Sequence, residues 1–286
     1  MSTVRKPAVA GQFYPRSLDA LRETIEKMCF MSKFGPEQLP EEATIHDMPP
    51  PFVVSPHAGY IYSGPTAAWS YLELSKYEKP EIVVILGPNH WGIGPEVAVP
   101  RKVEAWETPF GTVELDYEYI QRIEELSNII SESDDAHARE HSIEVQLPFL
   151  QYIYGSDFKL VPIVLKNQSM DMSILLGEIL AKAAAGKKIV FVASSDLTHY
   201  EPDEYAKEKD RKVLEAIEKM DLGAMYKIKY DLNVSMCGYG AIGTTIEVAR
   251  RLQRAKGKIL NYTTSGDTSG MKSQVVGYGS VAFYPV

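Results

Sequence analysis

Cysteine is nearly absent from this chain. Its 286 residues include two, Cys29 and Cys237, too few to staple a chain of this length with disulfides. A basic block is missing as well. Thirty lysines and arginines stand against 38 aspartates and glutamates, a formal charge of −8. Phosphate backbones are held by clustered Lys and Arg, so nucleic acid is not an expected partner. No apolar run approaches the ~18 residues that span a bilayer. The opening Met1-Ser-Thr-Val-Arg-Lys-Pro7 has no signal-like apolar stretch. No Gly-x-Gly-x-x-Gly follows an apolar run, which removes the usual dinucleotide fingerprint. Together these absences predict a reduced, cytosolic protein that binds neither membrane nor nucleic acid.

The remaining composition is that of a globular protein, with 45% apolar and 24% charged residues and length enough for a substantial core. The most irregular stretch, residues 34–51, carries five prolines, at 36, 40 and 49–51. It follows a helix expected over 17–31. There Leu18, Leu21, Ile25 and Met28 keep helical spacing behind an N-cap at Ser17. Short apolar runs at 52–54, 82–86, 160–165 and 189–193 lack polar alternation, as strands buried on both faces do. Helical patterns occupy 65–74, 117–126, 172–185, 203–220 and 239–255, and 274–284 reads as a closing strand. Interleaved strands and helices predict one α/β domain over 1–286, a layered fold with a central, mostly parallel or mixed sheet flanked by helices.

Histidine is also scarce, with six in the chain, yet three of them directly follow apolar strands. His57 ends Phe52-Val-Val-Ser-Pro-His57, His90 ends Ile82-Val-Val-Ile-Leu-Gly-Pro-Asn-His90, and His199 ends Ile189-Val-Phe-Val-Ala-Ser-Ser-Asp196-Leu-Thr-His199. In open α/β sheets the ligand crevice lies beyond the carboxyl ends of the strands. If these strands are parallel neighbours, their histidines converge. Neutral imidazoles ligate divalent first-row metals, and two of them with one anionic ligand make a common open site. Asp196, Glu144 and the thiolate of Cys237 are the candidates for that third ligand. Cys237 precedes a helix, whose N-terminus is expected to lower the thiol pKa.

Two further segments carry chemistry-bearing residues. His137-Ala-Arg-Glu140-His141 matches the inverted zinc-protease pattern His-x-x-Glu-His. That motif needs a helix, and the preceding 133–136 reads as a loop. Glu140 and His141 are better read as lining of the histidine cleft, with plain loop capping as the alternative. Ser265-Gly-Asp-Thr-Ser-Gly270 reads as a turn, with an anion-binding nest as the alternative.

Several of these blocks together resemble the Memo family. They are Pro56-His-Ala-Gly-Tyr60, Leu86-Gly-Pro-Asn-His90, Glu140-His-Ser-Ile-Glu144 followed by Gln146-Leu-Pro148, Ser194-Ser-Asp-Leu-Thr-His199, Cys237-Gly238 and Tyr262-Thr-Thr-Ser-Gly-Asp267. They run in family order from Gly11-Gln-Phe-Tyr-Pro15 to the C-terminus. The resemblance implies a fold similar to class III extradiol dioxygenases, which are non-haem iron enzymes. It implies metal ligands at His57, His90 and Cys237, with Asp196, His199 and His141 in the same pocket. The dioxygenases use a carboxylate as third ligand, whereas Cys237 stands in that position here. A thiolate shifts preference toward zinc or copper as well as iron.

The resulting expectation is a metal-dependent oxidoreductase of dioxygenase type, with Fe(II) first and zinc or copper as alternatives. His199 is the expected proton-transfer group, assisted by Asp196 and His141. Tyr60, Trp91, Tyr200 and Glu140 are expected to surround a small aromatic substrate or a peptide. A non-catalytic peptide- or metal-binding module is a second reading. A hydrolase with Cys237 as nucleophile and His199 as base is a third. The sequence leaves the oligomeric state open.

Overall fold

Residues 3–286 are described by a computed structural model of the chain. In chain order its strands are β1 (Val4–Arg5), β2 (Phe52–Ser55), β3 (Ile82–Pro88), β4 (Val97–Val99), β5 (Ala105–Thr108), β6 (Gly111–Glu114), β7 (Ile130–Glu132), β8 (Lys159–Leu165), β9 (Ile189–Ser194), β10 (His199–Glu201), β11 (Arg254–Thr264) and β12 (Val275–Pro285). Its helices are α1 (Leu18–Glu23), α2 (Tyr60–Ser75), α3 (Tyr117–Leu126), α4 (Asp134–Ala138), α5 (Leu147–Tyr154), α6 (Met170–Ala184), α7 (Asp203–Glu218), α8 (Leu222–Asp231), α9 (Tyr239–Arg251) and α10 (Ser265–Ser269).

Nine strands form the central sheet, in the order β10-β12-β2-β9-β3-β8-β4-β7 with β11 paired to β12. The inner strands β2, β9, β3 and β8 are parallel, while β12 and β4 run antiparallel to their neighbours β2 and β8. A separate three-stranded sheet joins β1, β5 and β6. The sheet is therefore mixed, with a parallel centre.

The apolar runs lack alternation because both faces are covered. Ile82, Val84 and Leu86 enter one core with Val161, Ile163 and Phe191, beneath helices that include α6 and α9. Val83 and Ile85 enter the other with Val190, Val192 and Val164, against α2 and α5. Each strand residue is thus removed from water whichever way it points.

Most element boundaries follow the local pattern, and the exceptions have physical causes. Ser17 caps α1 by accepting from the Ala20 amide, but the helix continues from Thr24 to Phe30 with π-type hydrogen bonding. Helix α2 starts at Tyr60, ahead of the expected Pro65. Its first amide donates to the Phe13 carbonyl at 2.8 Å, a contact between distant segments that no local rule reveals. The expected helix over 239–255 ends at Arg251, because Arg254 already belongs to β11 and pairs with Pro285. The 265–270 turn is a short helix closed by a capping box between Thr264 and Asp267. Helices α5 and α8 and the small sheet did not stand out in the sequence pattern.

Backbone approach at the carboxyl end of β9 is close. A Cβ placed on Gly238 would lie 2.3 Å from the Ser194 carbonyl oxygen. Gly238→Ala is expected to destabilise the fold by about 1–3 kcal/mol through overpacking, measured by urea denaturation. An unchanged midpoint would contradict this packing.

A candidate metal centre

The three parallel strands β2, β9 and β3 deliver their loops to one place. His57 lies just past β2, Asp196 just past β9, and His90 just past β3. Cys237 arrives on the loop before α9. One ligand atom from each of His57, His90 and Cys237 lies within 4.8 Å of the others, and His57 Nε2 is 3.2 Å from Cys237 Sγ. Ligands at about 2.0–2.3 Å from a tetrahedral ion stand about 3.3–3.6 Å apart, so the His57–Cys237 pair is close to that spacing and the three residues could hold one ion. A second group of donors, His90, Glu140 and His141, shares His90 with the first.

The back of each imidazole is tied down. His90 donates from Nδ1 to Glu140 Oε1 at 2.8 Å, and its backbone amide donates to Glu140 Oε2 at 2.8 Å. Burial works against the Glu140 anion, but the hydrogen bonds from His90 and Ser142 prevail and hold its pKa down at about 2. An ionised carboxylate only accepts, so the neutral form of His90 has its ring proton on Nδ1 and presents Nε2 as the ligand atom. His57 contacts Ser194 Oγ through Nδ1 at 2.8 Å, and its backbone amide donates to Asp196 Oδ1 at 2.8 Å. Burial, and the nearby His90, hold the His57 pKa well below its ordinary value. Neutral imidazole is the ligating form.

The thiol is not activated by its helix. Burial, and the nearby Asp196 carboxylate, push the Cys237 pKa up, against the expectation that the helix start would lower it. The helix amides are engaged elsewhere: Gly238 donates to Ser195 Oγ at 2.9 Å and Gly240 to Gln168 Oε1 at 2.8 Å. Cys237 also faces His57 rather than the expected base His199. This arrangement argues against a thiolate nucleophile and suits a thiol that gives up its proton on binding a metal.

The donors lie at the foot of a cleft of about 730 Å³, lined by Phe13, Tyr62, Tyr200, Tyr278, Met271 and Val276 among others. His141 and Asp196 reach it, as does His199. Phe13 packs on His141 at 4.6 Å between ring centroids, and His141 stacks on His90 at 4.5 Å. Burial and the imidazoles of His57 and His90 lower the His141 pKa to about 4. Burial raises that of Asp196 despite its hydrogen bond from His57. His199 donates from Nδ1 to the Ser235 carbonyl at 2.9 Å, which leaves Nε2 as its proton acceptor. A hollow of about 750 Å³ at the opposite ends of β3 and β8 is lined by Lys79, Glu81, Asp157 and Lys159, with no histidine or cysteine.

Several residues take other places than the sequence reading gave them. Tyr60 does not line the cleft; it is buried, and its hydroxyl donates to the Val145 carbonyl at 2.6 Å. Its helix turns Tyr62 to the cleft instead. Trp91 lies outside the lining, half-exposed, with Arg139 stacked 4.1 Å from its ring centroid. Glu140 is fully buried behind His90 and offers no surface to a substrate. Glu144 is no metal ligand, since its carboxylate is taken by Arg5, the Ala8 and Val9 amides and the Tyr14 hydroxyl. The zinc-protease pattern fails because α4 stops at Ala138, before Glu140. His137 is buried there, with Nε2 on the Ala98 carbonyl. Phe13, Tyr62 and Tyr278 carried no signal that separated them from core aromatics.

Fold and site together define a layered α/β protein with a two-imidazole, one-thiol candidate metal centre at the carboxyl ends of its parallel strands. The Memo-like protein family matches residues 5–282, and the chain belongs to that family. A MEMO1 family protein of Methanopyrus kandleri is 46% identical over 98% of this chain and 98% of its own. One from Nitrosopumilus maritimus is 43% identical over 98% and 99% of the two chains. An uncharacterised Escherichia coli K12 protein of known structure, JW3007, superposes with a TM-score of 0.57 at 16% identity, covering 82% of this chain and 99% of that one. That likeness supports the layered fold.

The buried histidines set a pH dependence. His57, His137 and His141 stay neutral in the fold, with His137 lowered to about 3 and His141 to about 4 from an ordinary 6.5. Below about 6.5 the unfolded chain binds more protons, so stability is complete above that pH and is lost as pH falls toward 4. Asp196 and Asp210, raised by burial, offset part of this by taking up protons in the fold. The unfolding free energy from urea denaturation is expected to fall between pH 7 and 5 by on the order of 1–3 kcal/mol, and less steeply in His137→Asn. A flat profile would contradict the neutral burial.

Proposed function

We propose that this protein is a cytoplasmic, metal-dependent oxidoreductase of dioxygenase type that acts on a small aromatic molecule. The observation that carries the reading is the convergence of two imidazoles, tied from behind, and one thiol at the foot of an aromatic-walled cleft. His57, His90 and Cys237 would hold the ion, with Fe(II) first in expectation, zinc or copper next. Such an ion, when bound, supplies Lewis acidity and, if iron or copper, electron exchange with substrate and oxygen.

The chain's own residues supply the rest. Phe13, Tyr62, Tyr200 and Tyr278 offer apolar faces to a planar ring. His199 accepts a substrate hydroxyl proton at Nε2, since Nδ1 is committed to the Ser235 carbonyl. Asp196 fixes the His57 loop through its backbone amide. His141, stacked on His90 and packed against Phe13, adds a neutral imidazole to the cleft lining.

A non-catalytic metal- or peptide-binding role is the second reading. It is favoured by the sulfur donor, which suits a soft ion such as Cu(I), and by the open, half-exposed aromatic rim.

Elemental analysis of protein loaded anaerobically with Fe(II) is expected to find one ion per chain. Cys237→Ser is expected to lower affinity at least tenfold, and cobalt loading of the wild type is expected to give a sulfur-to-metal charge-transfer band that this variant lacks. Oxygen uptake with a panel of catechols tests the catalytic step. Full iron occupancy without oxygen consumption would sink the oxidoreductase reading and leave the binding one.

A further inference from the structure

We propose that Ser194, held by Gln146, fixes the tautomer of His57 and so acts as a positioning residue for the metal centre. The inference rests on the metal-binding reading above. Gln146 Nε2 lies 3.0 Å from the Pro56 carbonyl. A carbonyl only accepts, so the amide nitrogen must face it. The other end of the same amide, Oε1, accepts from the Tyr71 hydroxyl. The Gln146 side chain is thereby locked in one orientation, and Nε2 also donates to Ser194 Oγ at 2.8 Å.

Ser194 is then fully used. Its single proton goes to the Ser142 carbonyl at 2.6 Å. One of its two lone pairs takes the Gln146 amide. The partner left for His57 Nδ1, 2.8 Å away, is the remaining lone pair. His57 must therefore bring the proton on Nδ1, and its Nε2 carries a lone pair facing Cys237 Sγ at 3.2 Å. Ser142, Gln146 and Ser194, with Tyr71, are all buried, so water does not substitute for a missing partner.

Ser142 connects this arrangement to the second imidazole. Its carbonyl accepts from Ser194, while its amide donates to Glu140 Oε1 at 2.9 Å, the oxygen that also takes His90 Nδ1. One residue thus braces the backs of both histidines. Its place depends on Gly87 at the end of β3, where a Cβ would lie 2.3 Å from Ser142 Oγ. Both rings are thereby braced at Nδ1, so each neutral imidazole presents Nε2 to the cleft before any ion arrives.

The test begins with metal-free protein carrying ¹⁵N-histidine. Long-range ¹H–¹⁵N spectra, with His57 assigned by its loss in His57→Asn, are expected to show Nδ1 protonated and Nε2 pyridine-like. A protonated Nε2 in the wild type would overturn the proposal without any variant. Ser194→Ala is expected to shift His57 toward the Nε2–H tautomer and to weaken Zn²⁺, measured by chelator competition, about 10–100-fold. Ser194→Thr, which keeps the hydroxyl, is expected to restore both. Unchanged tautomer and affinity in Ser194→Ala would also overturn it. Wild-type protein with the expected tautomer but no affinity for Zn²⁺, Fe(II) or Cu(I) would sink the metal reading while upholding the tautomer assignment.

Discussion

The register of three parallel strands is the constraint on which the site depends. Ala193 of β9 pairs with Val54 of β2 on one side and with Leu86 of β3 on the other. His57, Asp196 and His90 each lie three or four residues beyond those paired positions. Parallel pairing makes all three chains leave the sheet in the same direction and at the same height. A register shift by one residue on any strand would exchange its core faces and carry its loop out of line. Burial of both faces makes such a shift costly, so the same apolar packing that stabilises the sheet also assembles the donors.

Gathering polar groups at a sheet end carries a desolvation cost, which is met here by pairing and by neutrality. His57, His137 and His141 are held uncharged by burial. Glu140 remains an anion because His90 and Ser142 satisfy its oxygens. The N-terminal arm contributes through a second buried anion. Glu144 pairs with Arg5 at 2.7 Å and accepts from Ala8, Val9 and Tyr14. That anchoring brings Phe13 over His141 and sets its carbonyl on the first amide of α2. The arm is therefore part of the cleft wall, though it lies far from the other lining residues in sequence.

Much of this was legible from local chemistry. Apolar runs without alternation suited doubly covered strands, and a histidine after each of three such runs pointed to a shared crevice if the strands were parallel neighbours. Asp196, Glu144 and Cys237 were all candidates for the third ligand, and only the family resemblance singled out Cys237. What misled was direction. Tyr60 and Tyr62 are neighbours on one helix, and only the helix's rotation against the core decides which meets the cleft. Cys237 sits ahead of a helix, but whether the amides there are free depends on Ser195 and Gln168, brought from other segments.

The amino-acid order by itself determined the strands, their bilateral burial and the presence of imidazoles at their ends, because these follow from short-range periodicity and from where glycine and proline interrupt it. Which side of each imidazole faces the cleft and which aromatics wall it were decided only by tertiary structure. Those properties belong to hydrogen bonds and contacts between residues distant in the chain, such as His57 with Ser194 and with Cys237 and His90 with Glu140, and no local pattern encodes them.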